Sequence, residues 1–230
     1  MINIGVIPGR FNPATLAHAS LFRQALKENK NGAYVVLIRG LKSGEDKIRN
    51  PLDADTQEAL IKEMVPEIDI VKSDRGWLPQ IIYEILAPPE RIYLGDGNFK
   101  FKFYCGTDRF KGYKASAEDE KAINEVTLNL QNNKVKVNTI LVEVVKVDRD
   151  SDIPFDGSKV DFTKPPTQAE ISSYSATALR KAIVDGNEKL AQRMMGLEDN
   201  DLYEKIEQLV LKGQQAKNIE EKINSILGVL

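Results

Sequence analysis

The 230-residue sequence holds one cysteine, one histidine and one tryptophan. Cys105 alone can close no disulfide within the chain, which fits a reducing, intracellular setting. Cysteine-based zinc sites are excluded by the same count, and His18 is the only histidine. No run of about 18 apolar residues suggests a membrane span. The opening, Met1 to Pro8, lacks the basic leader and long apolar stretch of a signal peptide. A cytoplasmic protein is therefore expected. An excess of one charge is missing too: 32 Lys and Arg face 34 Asp and Glu, a formal charge of −2. No long-range pull towards nucleic acid or an anionic membrane follows. Internal repeats and low-complexity segments are absent.

What is present is an alternation of short apolar runs with helical patterns. Residues 2–7 read as a buried strand ending in a turn at Pro8 and Gly9. A helix from near Thr15 to about Lys27 carries its apolar face on Ala19, Leu21, Phe22, Ala25 and Leu26. Strands follow at 33–38, 68–71, 91–95 and 139–147. Helices fall at about 53–64, entered through Asn50-Pro51-Leu52-Asp53, at 78–86, and from Ser175 to about Asp185. Residues 96–137 are polar, Lys-rich and without a clear reading; 148–170 read as a loop rich in Asp and Pro. The remainder, from about Leu190, is helical and amphipathic. Alternating strands and helices imply parallel βαβ units with right-handed crossovers. The expected fold is α/β, a Rossmann-like doubly wound parallel sheet with a C-terminal helical extension. Residues 1–190 would form the α/β domain, with 191–230 packed on it. In such a sheet ligands bind at the carboxyl ends of the strands, which directs attention to the end of the first strand.

That end reads Gly9-Arg10-Phe11-Asn12-Pro13-Ala14-Thr15-Leu16-Ala17-His18. A strand, a glycine turn and a helix N-terminus in succession suit phosphate, because backbone N–H groups and the helix dipole favour an anion there. Thr15 and His18, three apart, would share one helix face, and Arg10 adds fixed positive charge. The bland alternative is a satisfied histidine in an ordinary first helix. A second candidate is Ile171 to Arg180, Ile-Ser-Ser-Tyr-Ser-Ala-Thr-Ala-Leu-Arg. Ser175 or Thr177 can cap the helix that follows, and Arg180 projects one turn in, suited to phosphate. A plain serine-capped helix with a surface arginine is the alternative.

The first segment resembles the signature of the nucleotidyltransferase superfamily that includes nicotinamide-nucleotide and pantetheine-phosphate adenylyltransferases and the cytidylyltransferases: Gly-Arg/Thr-Phe-x-Pro, then His or Thr, any residue, Gly and His. Thr15 and His18 fall on the two key positions, and Ala17 stands where glycine is usual. The second resembles that superfamily's Ile-Ser-x-Thr-x-x-Arg; the frame ending on Arg180 is preferred, although Ile171-Ser172 would need three extra residues. Asn50-Pro51-Leu52 and Gly106-Thr107-Asp108-Arg109 resemble segments of phage-encoded members, for which the setting would be the host cytoplasm. The resemblance implies transfer of a nucleoside monophosphate, AMP by preference, from ATP or CTP to a phosphorylated small molecule such as nicotinamide mononucleotide, with release of pyrophosphate. His18, Thr15 and Arg180 would carry the chemistry. Gly9, Arg10, Phe11, Asn12, Lys42, Ser175 and Thr177 would bind the nucleotide, with Mg2+ held by its phosphates and water. The alternatives are a cytidylyltransferase and, because of Ala17, a nucleotide-binding module without turnover. A homo-oligomer is allowed.

Weaker features remain open. Arg39, Lys42, Lys47 and Arg49 form a basic stretch that could close over a triphosphate or simply be solvated. Trp77 could stack on an aromatic acceptor or pack under a helix. Gly106-Thr107-Asp108-Arg109 could reach the acceptor or the sugar, or hold a loop ion pair. Asp96 and Asp148 stand at strand ends without further context.

Overall fold

The computed structural model describes residues 1–39, 46–87, 97–147 and 156–227. Five parallel strands form one sheet in the order β3-β2-β1-β4-β5. They are β1 (Ile2–Gly9), β2 (Ala33–Ile38), β3 (Asp69–Ser73), β4 (Asn98–Gly106) and β5 (Thr139–Val147). Helices α1 (Leu16–Glu28), α2 (Ala54–Met64), α3 (Leu78–Leu86), α4 (Thr107–Ala117) and α5 (Glu120–Asn132) lie between them in the chain. After β5 come α6 (Gln168–Ser173), α7 (Ala176–Val184), α8 (Glu188–Met195) and the long α9 (Asn200–Leu227). This is the expected Rossmann-like α/β sheet with a helical C-terminal region.

The chain divides into two compact units. The first, Met1–Gly9, Ser20–Leu41 and Glu67–Arg149, contains the sheet. On one face, Ile2, Ile4 and Val6 of β1 meet Phe99, Phe101 and Phe103 of β4, covered by Ile81, Ile82 and Ile85 of α3 and by Ile123, Val126 and Leu130 of α5. Burying side chains of this size contributes about 1.5–3 kcal/mol each. On the other face the end of α1 lies close over the strands. A Cβ at Gly5 would come within 2.7 Å of Asn29 Nδ2 and 3.0 Å of the Ala33 Cβ, so a larger residue there would have to displace them. Glu28, at the last turn of α1, accepts hydrogen bonds from Lys102 and from Tyr104 on β4. Helices thus cover both faces, as double winding requires.

β4 explains the segment that reads poorly from sequence. Asn-Phe-Lys-Phe-Lys-Phe alternates as far as Phe103, and the buried Tyr104 and Cys105 follow. The phenylalanines enter the core, while Lys100 and Lys102 stand on the opposite face, paired with Glu143 and Glu28. The lysines mark one side of a central strand, not a loop. The expected strand at 91–95 lies outside the described residues. β1 also runs further than expected, through Pro8 and Gly9, with Gly9 still in register with Leu37. The turn falls instead at Asn12 and Pro13.

The second unit comprises Arg10–Ala19, Lys42–Pro66 and Asp150–Leu230. It takes in the first turn of α1, α2 and the helices from α6 onward. Asp53 caps α2, its Oδ1 accepting from Thr56 N–H at 2.7 Å. Gly196 ends α8 with φ 64°, and a Cβ there would meet Leu16 of α1 at 2.6 Å. The left-handed turn favours glycine, and a larger residue would also have to displace the Leu16 side chain.

Candidate active site

β1 delivers the chain to the exposed Arg10; Phe11 to Thr15 and His18 are buried, and Leu16 and Ala17 half-buried. Phe11 has φ 43°, and the Asn12–Pro13 peptide is cis. Asn12, 4% exposed, holds this bend by gripping one residue forty positions on. Its Oδ1 accepts from Leu52 N–H at 3.0 Å, and its Nδ2 donates to the Leu52 carbonyl at 3.2 Å. The buried Gln57 of α2 donates to the Arg10 carbonyl. Asn12 and Gln57 therefore act on the backbone, supplying partners that a buried bend needs.

Thr15 precedes the first residue of α1, and its carbonyl accepts from Ala19 N–H. Its own N–H donates to His18 Nδ1 at 3.0 Å, with its hydroxyl at 3.0 Å from the same nitrogen. This is one half of a capping box, with imidazole in the place of the usual carboxylate or amide. An Nδ1 that accepts from a backbone N–H carries no proton, so the neutral ring bears its proton on Nε2. Phe11 meets the imidazole edge-on, ring centroids 5.2 Å apart. The threonine hydroxyl also donates to the Tyr174 carbonyl at 3.3 Å. Thr15 and His18 thus touch directly, rather than merely sharing a helix face.

Tyr174 leads into the second candidate segment. Ser175 caps α7, its Oγ accepting from Ala178 N–H at 3.1 Å. Thr177 lies in the first turn, and its Oγ1 accepts from Arg180 Nη2 at 3.2 Å. Arg180 Nη1 donates to the Asn12 carbonyl at 2.6 Å and, at 3.4 Å, to that of Arg49. These bonds leave two of its five N–H donors, on Nε and Nη2, without a partner among the described residues. Burial pulls the Arg180 pKa down, as do the nearby charges of Arg49 and Arg10, against the opposing pull of Asp46. Arg10 and Arg49 are exposed. Three guanidinium groups and one carboxylate therefore gather where the two segments meet. Such a concentration of planar cations suits phosphate oxygens.

The sequence candidates are brought together unevenly. Arg10, Phe11, Asn12, Thr15, His18, Ser175, Thr177 and Arg180 belong to one connected set in the second unit, and Gly9 adjoins it along the chain. Lys42, Asp96 and Asp148 lie outside the described residues. Trp77, Asp108 and Arg109 belong to the first unit. Trp77 is 49% exposed at the start of α3, not packed under the helix. Asp108 and Arg109 form an exposed ion pair, 3.7 Å, in the first turn of α4. Arg49 was named from sequence only within a basic stretch, and Tyr174 and Leu52 only within quoted segments. Asp46 and Gln57 were not singled out. Among the described residues no three His, Cys, Asp or Glu side chains gather as a metal site.

No protein-family model matches the chain, and no curated protein sequence does. Solved structures are similar in fold. A bifunctional NMN adenylyltransferase/ADP ribose pyrophosphatase from Francisella tularensis matches over 98% of this chain with a TM-score of 0.52 and 14% identity. The match covers 57% of that protein, so this chain spans little more than half its length. Nicotinic acid mononucleotide adenylyltransferase from Plasmodium falciparum, complexed with NaAD, matches over 80% of this chain and 84% of its own, with 16% identity and a TM-score of 0.37. TmcAL from Thermotoga maritima, bound with alpha-thio ATP, matches over 94% and 56%, with 10% identity and a TM-score of 0.42. At 14% identity the first of these shows the Rossmann-like fold alone.

Proposed function

We propose that the chain is a nucleotidyltransferase that moves AMP from ATP to a phosphorylated small-molecule acceptor and releases pyrophosphate, with nicotinamide mononucleotide as the first acceptor to test. The observation that carries this reading is that Arg180 bonds the Asn12 carbonyl and feels the charges of Arg10 and Arg49, in the same unit as the buried Thr15–His18 pair. In-line attack by an acceptor phosphate oxygen forms one P–O bond at the α-phosphorus and breaks the bond to the β-phosphate oxygen. That chemistry needs positioning and charge neutralisation, and no covalent intermediate. His18, proton on Nε2, donates to a non-bridging α-phosphate oxygen as charge builds. Thr15 fixes the ring through Nδ1. Arg180, with Arg10 and Arg49, takes the charge of the departing pyrophosphate. Magnesium is proposed to travel with the nucleotide, held by phosphates and water; no residue of this chain is assigned to it. Trp77, Asp108 and Arg109, all in the first unit, are proposed to bind the acceptor, Trp77 by stacking on an aromatic ring.

The test is pyrophosphate release from ATP or CTP with magnesium and a panel of phosphorylated acceptors, alongside nucleotide binding by calorimetry. Release that depends on one acceptor supports the reading. Saturable ATP binding without release on any acceptor would make the chain a nucleotide-binding module, and no binding at millimolar ATP would end the proposal.

A further inference from the structure

We infer that Gly213, in the middle of the C-terminal helix α9, is a positioning residue of the arginine site, because it seats the turn that carries Arg49. This rests on the proposed function for its consequence but not for its geometry. Glycine is a poor residue for a helix interior, being among the weakest helix formers. Gly213 nevertheless lies well inside the 28 residues of α9, and it is buried. A Cβ built there would stand 2.3 Å from the carbonyl oxygen of Lys47 and 3.1 Å from its carbonyl carbon. The obstacle is backbone, so no side-chain rotation relieves it.

Lys47 belongs to a tight turn. Arg49 N–H donates to Asp46 Oδ1 at 3.0 Å, and Asn50 N–H to the Asp46 carbonyl at 2.9 Å. Asp46 also pairs with the Arg49 guanidinium at 3.6 Å. The Arg49 carbonyl accepts from Arg180 at 3.4 Å, already a long contact. Two residues further on, Leu52 is clamped by Asn12. The turn is thus held by Arg180 through one carbonyl and by the surface of α9 through another. An added methyl needs about 3.3 Å from a carbonyl oxygen. The turn, or the helix, must then retreat by about 1 Å. A retreat of that size is enough to break the Arg180–Arg49 contact and re-aim the Arg49 side chain. The long C-terminal helix is thereby part of the phosphate-binding apparatus.

The test compares Gly213→Ala with Gln215→Ala, an exposed position two residues on in the same helix. In the ligand-free protein, trypsin cleaves after Lys47 and Arg49, and the rate reports how firmly the turn is seated. Gly213→Ala is expected to speed this cleavage, and Gln215→Ala to leave it unchanged. With ATP or inorganic pyrophosphate as probe, Gly213→Ala is expected to weaken binding roughly tenfold, and to add little to the loss caused by Arg49→Ala. Unchanged cleavage in Gly213→Ala, or losses that add fully to those of Arg49→Ala, would overturn the inference. Should the wild-type protein bind neither probe, the proposed function falls, while the cleavage comparison still decides the seating of the turn.

Discussion

Replacing His18 by asparagine separates two roles that alanine would confound. Nδ1 of the imidazole accepts from Thr15 N–H at 3.0 Å in a residue that is 6% exposed. Alanine removes that acceptor and strands a buried N–H, at about 1–3 kcal/mol. The edge-on contact with Phe11 goes too, worth roughly 0.5–1.5 kcal/mol. At this chain length each kilocalorie lowers the melting temperature by about 2–4 °C, so His18→Ala loses several degrees whatever the residue does in catalysis. Asparagine offers Oδ1 close to where Nδ1 stands, so the Thr15 N–H stays paired and most of the loss is recovered. It cannot reach as far as Nε2. If His18 donates to the α-phosphate in the transition state, both variants should turn over roughly 10²–10³-fold more slowly. The loss should lie in kcat, with nucleotide affinity little changed. The assay is a melting curve and a single-turnover rate on each variant. Near-normal turnover in a well-folded His18→Asn protein would refute the argument, since it would leave His18 as a helix-capping residue alone.

Asn12→Ala leaves the Leu52 N–H and carbonyl without their buried partner, at about 1–3 kcal/mol for an unsatisfied group. The denaturation midpoint should fall and ATP binding weaken with it, because Arg180 rests on the Asn12 carbonyl; calorimetry on the folded variant checks the second effect. Glu28 is held down to about 2, first by the hydrogen bond from Lys102, then by those from Gln24 and Tyr104. A depressed carboxyl stabilises the fold above the usual carboxylate range and ceases to do so as pH falls through its folded value. Lys102→Met should therefore be less stable than wild type at pH 7, by about 0.2–1 kcal/mol for a pair this exposed, and the gap should close towards pH 2. Trp77→Ala should raise the acceptor KM and leave melting temperature and ATP affinity nearly unchanged, because the indole is 49% exposed. A large fall in melting temperature would make Trp77 a packing residue instead.

The sequence was legible where pattern and local chemistry coincide. β2, α3 and β5 have the expected bounds, because each is a run of apolar residues with clear stops. The sheet's centre was harder, since β4 alternates Phe with Lys, and the lysines of one face masked the phenylalanines of the other. Within the site, Thr15, His18, Ser175, Thr177 and Arg180 could be found because their roles are local to a helix start. What could not be read are contacts between distant segments that involve backbone. Asn12 reaches Leu52, Gln57 reaches the Arg10 carbonyl and Thr15 reaches the Tyr174 carbonyl. A carbonyl carries no residue identity, so no pattern of side chains announces it.

Partner chemistry also sets apart two arginines in the second unit that look alike in sequence. Arg193 forms a bidentate pair with Glu170, Nε to Oε1 at 2.7 Å and Nη2 to Oε2 at 3.1 Å, and both side chains are largely buried. Tyr174 donates to the same carboxylate. Arg193 holds the Glu170 carboxyl below its ordinary range, so the pair stays ionised and its charges cancel. Such an arginine is structural: it fixes Tyr174, whose carbonyl in turn receives Thr15. Arg180 is held instead by two carbonyls and a hydroxyl, all neutral. Its geometry is fixed while its charge is not cancelled by any directly bonded partner among the described residues. Asp46 opposes it at a distance, and Arg10 and Arg49 add to it. Gathering three cations around one carboxylate is unfavourable until an anion arrives. A triphosphate relieves that strain in proportion to its charge. Arg180→Ala should therefore weaken ATP binding more than AMP binding, and part of the loss should come from the Asn12 bend it no longer holds. Arg193→Ala should lower stability and weaken both ligands alike.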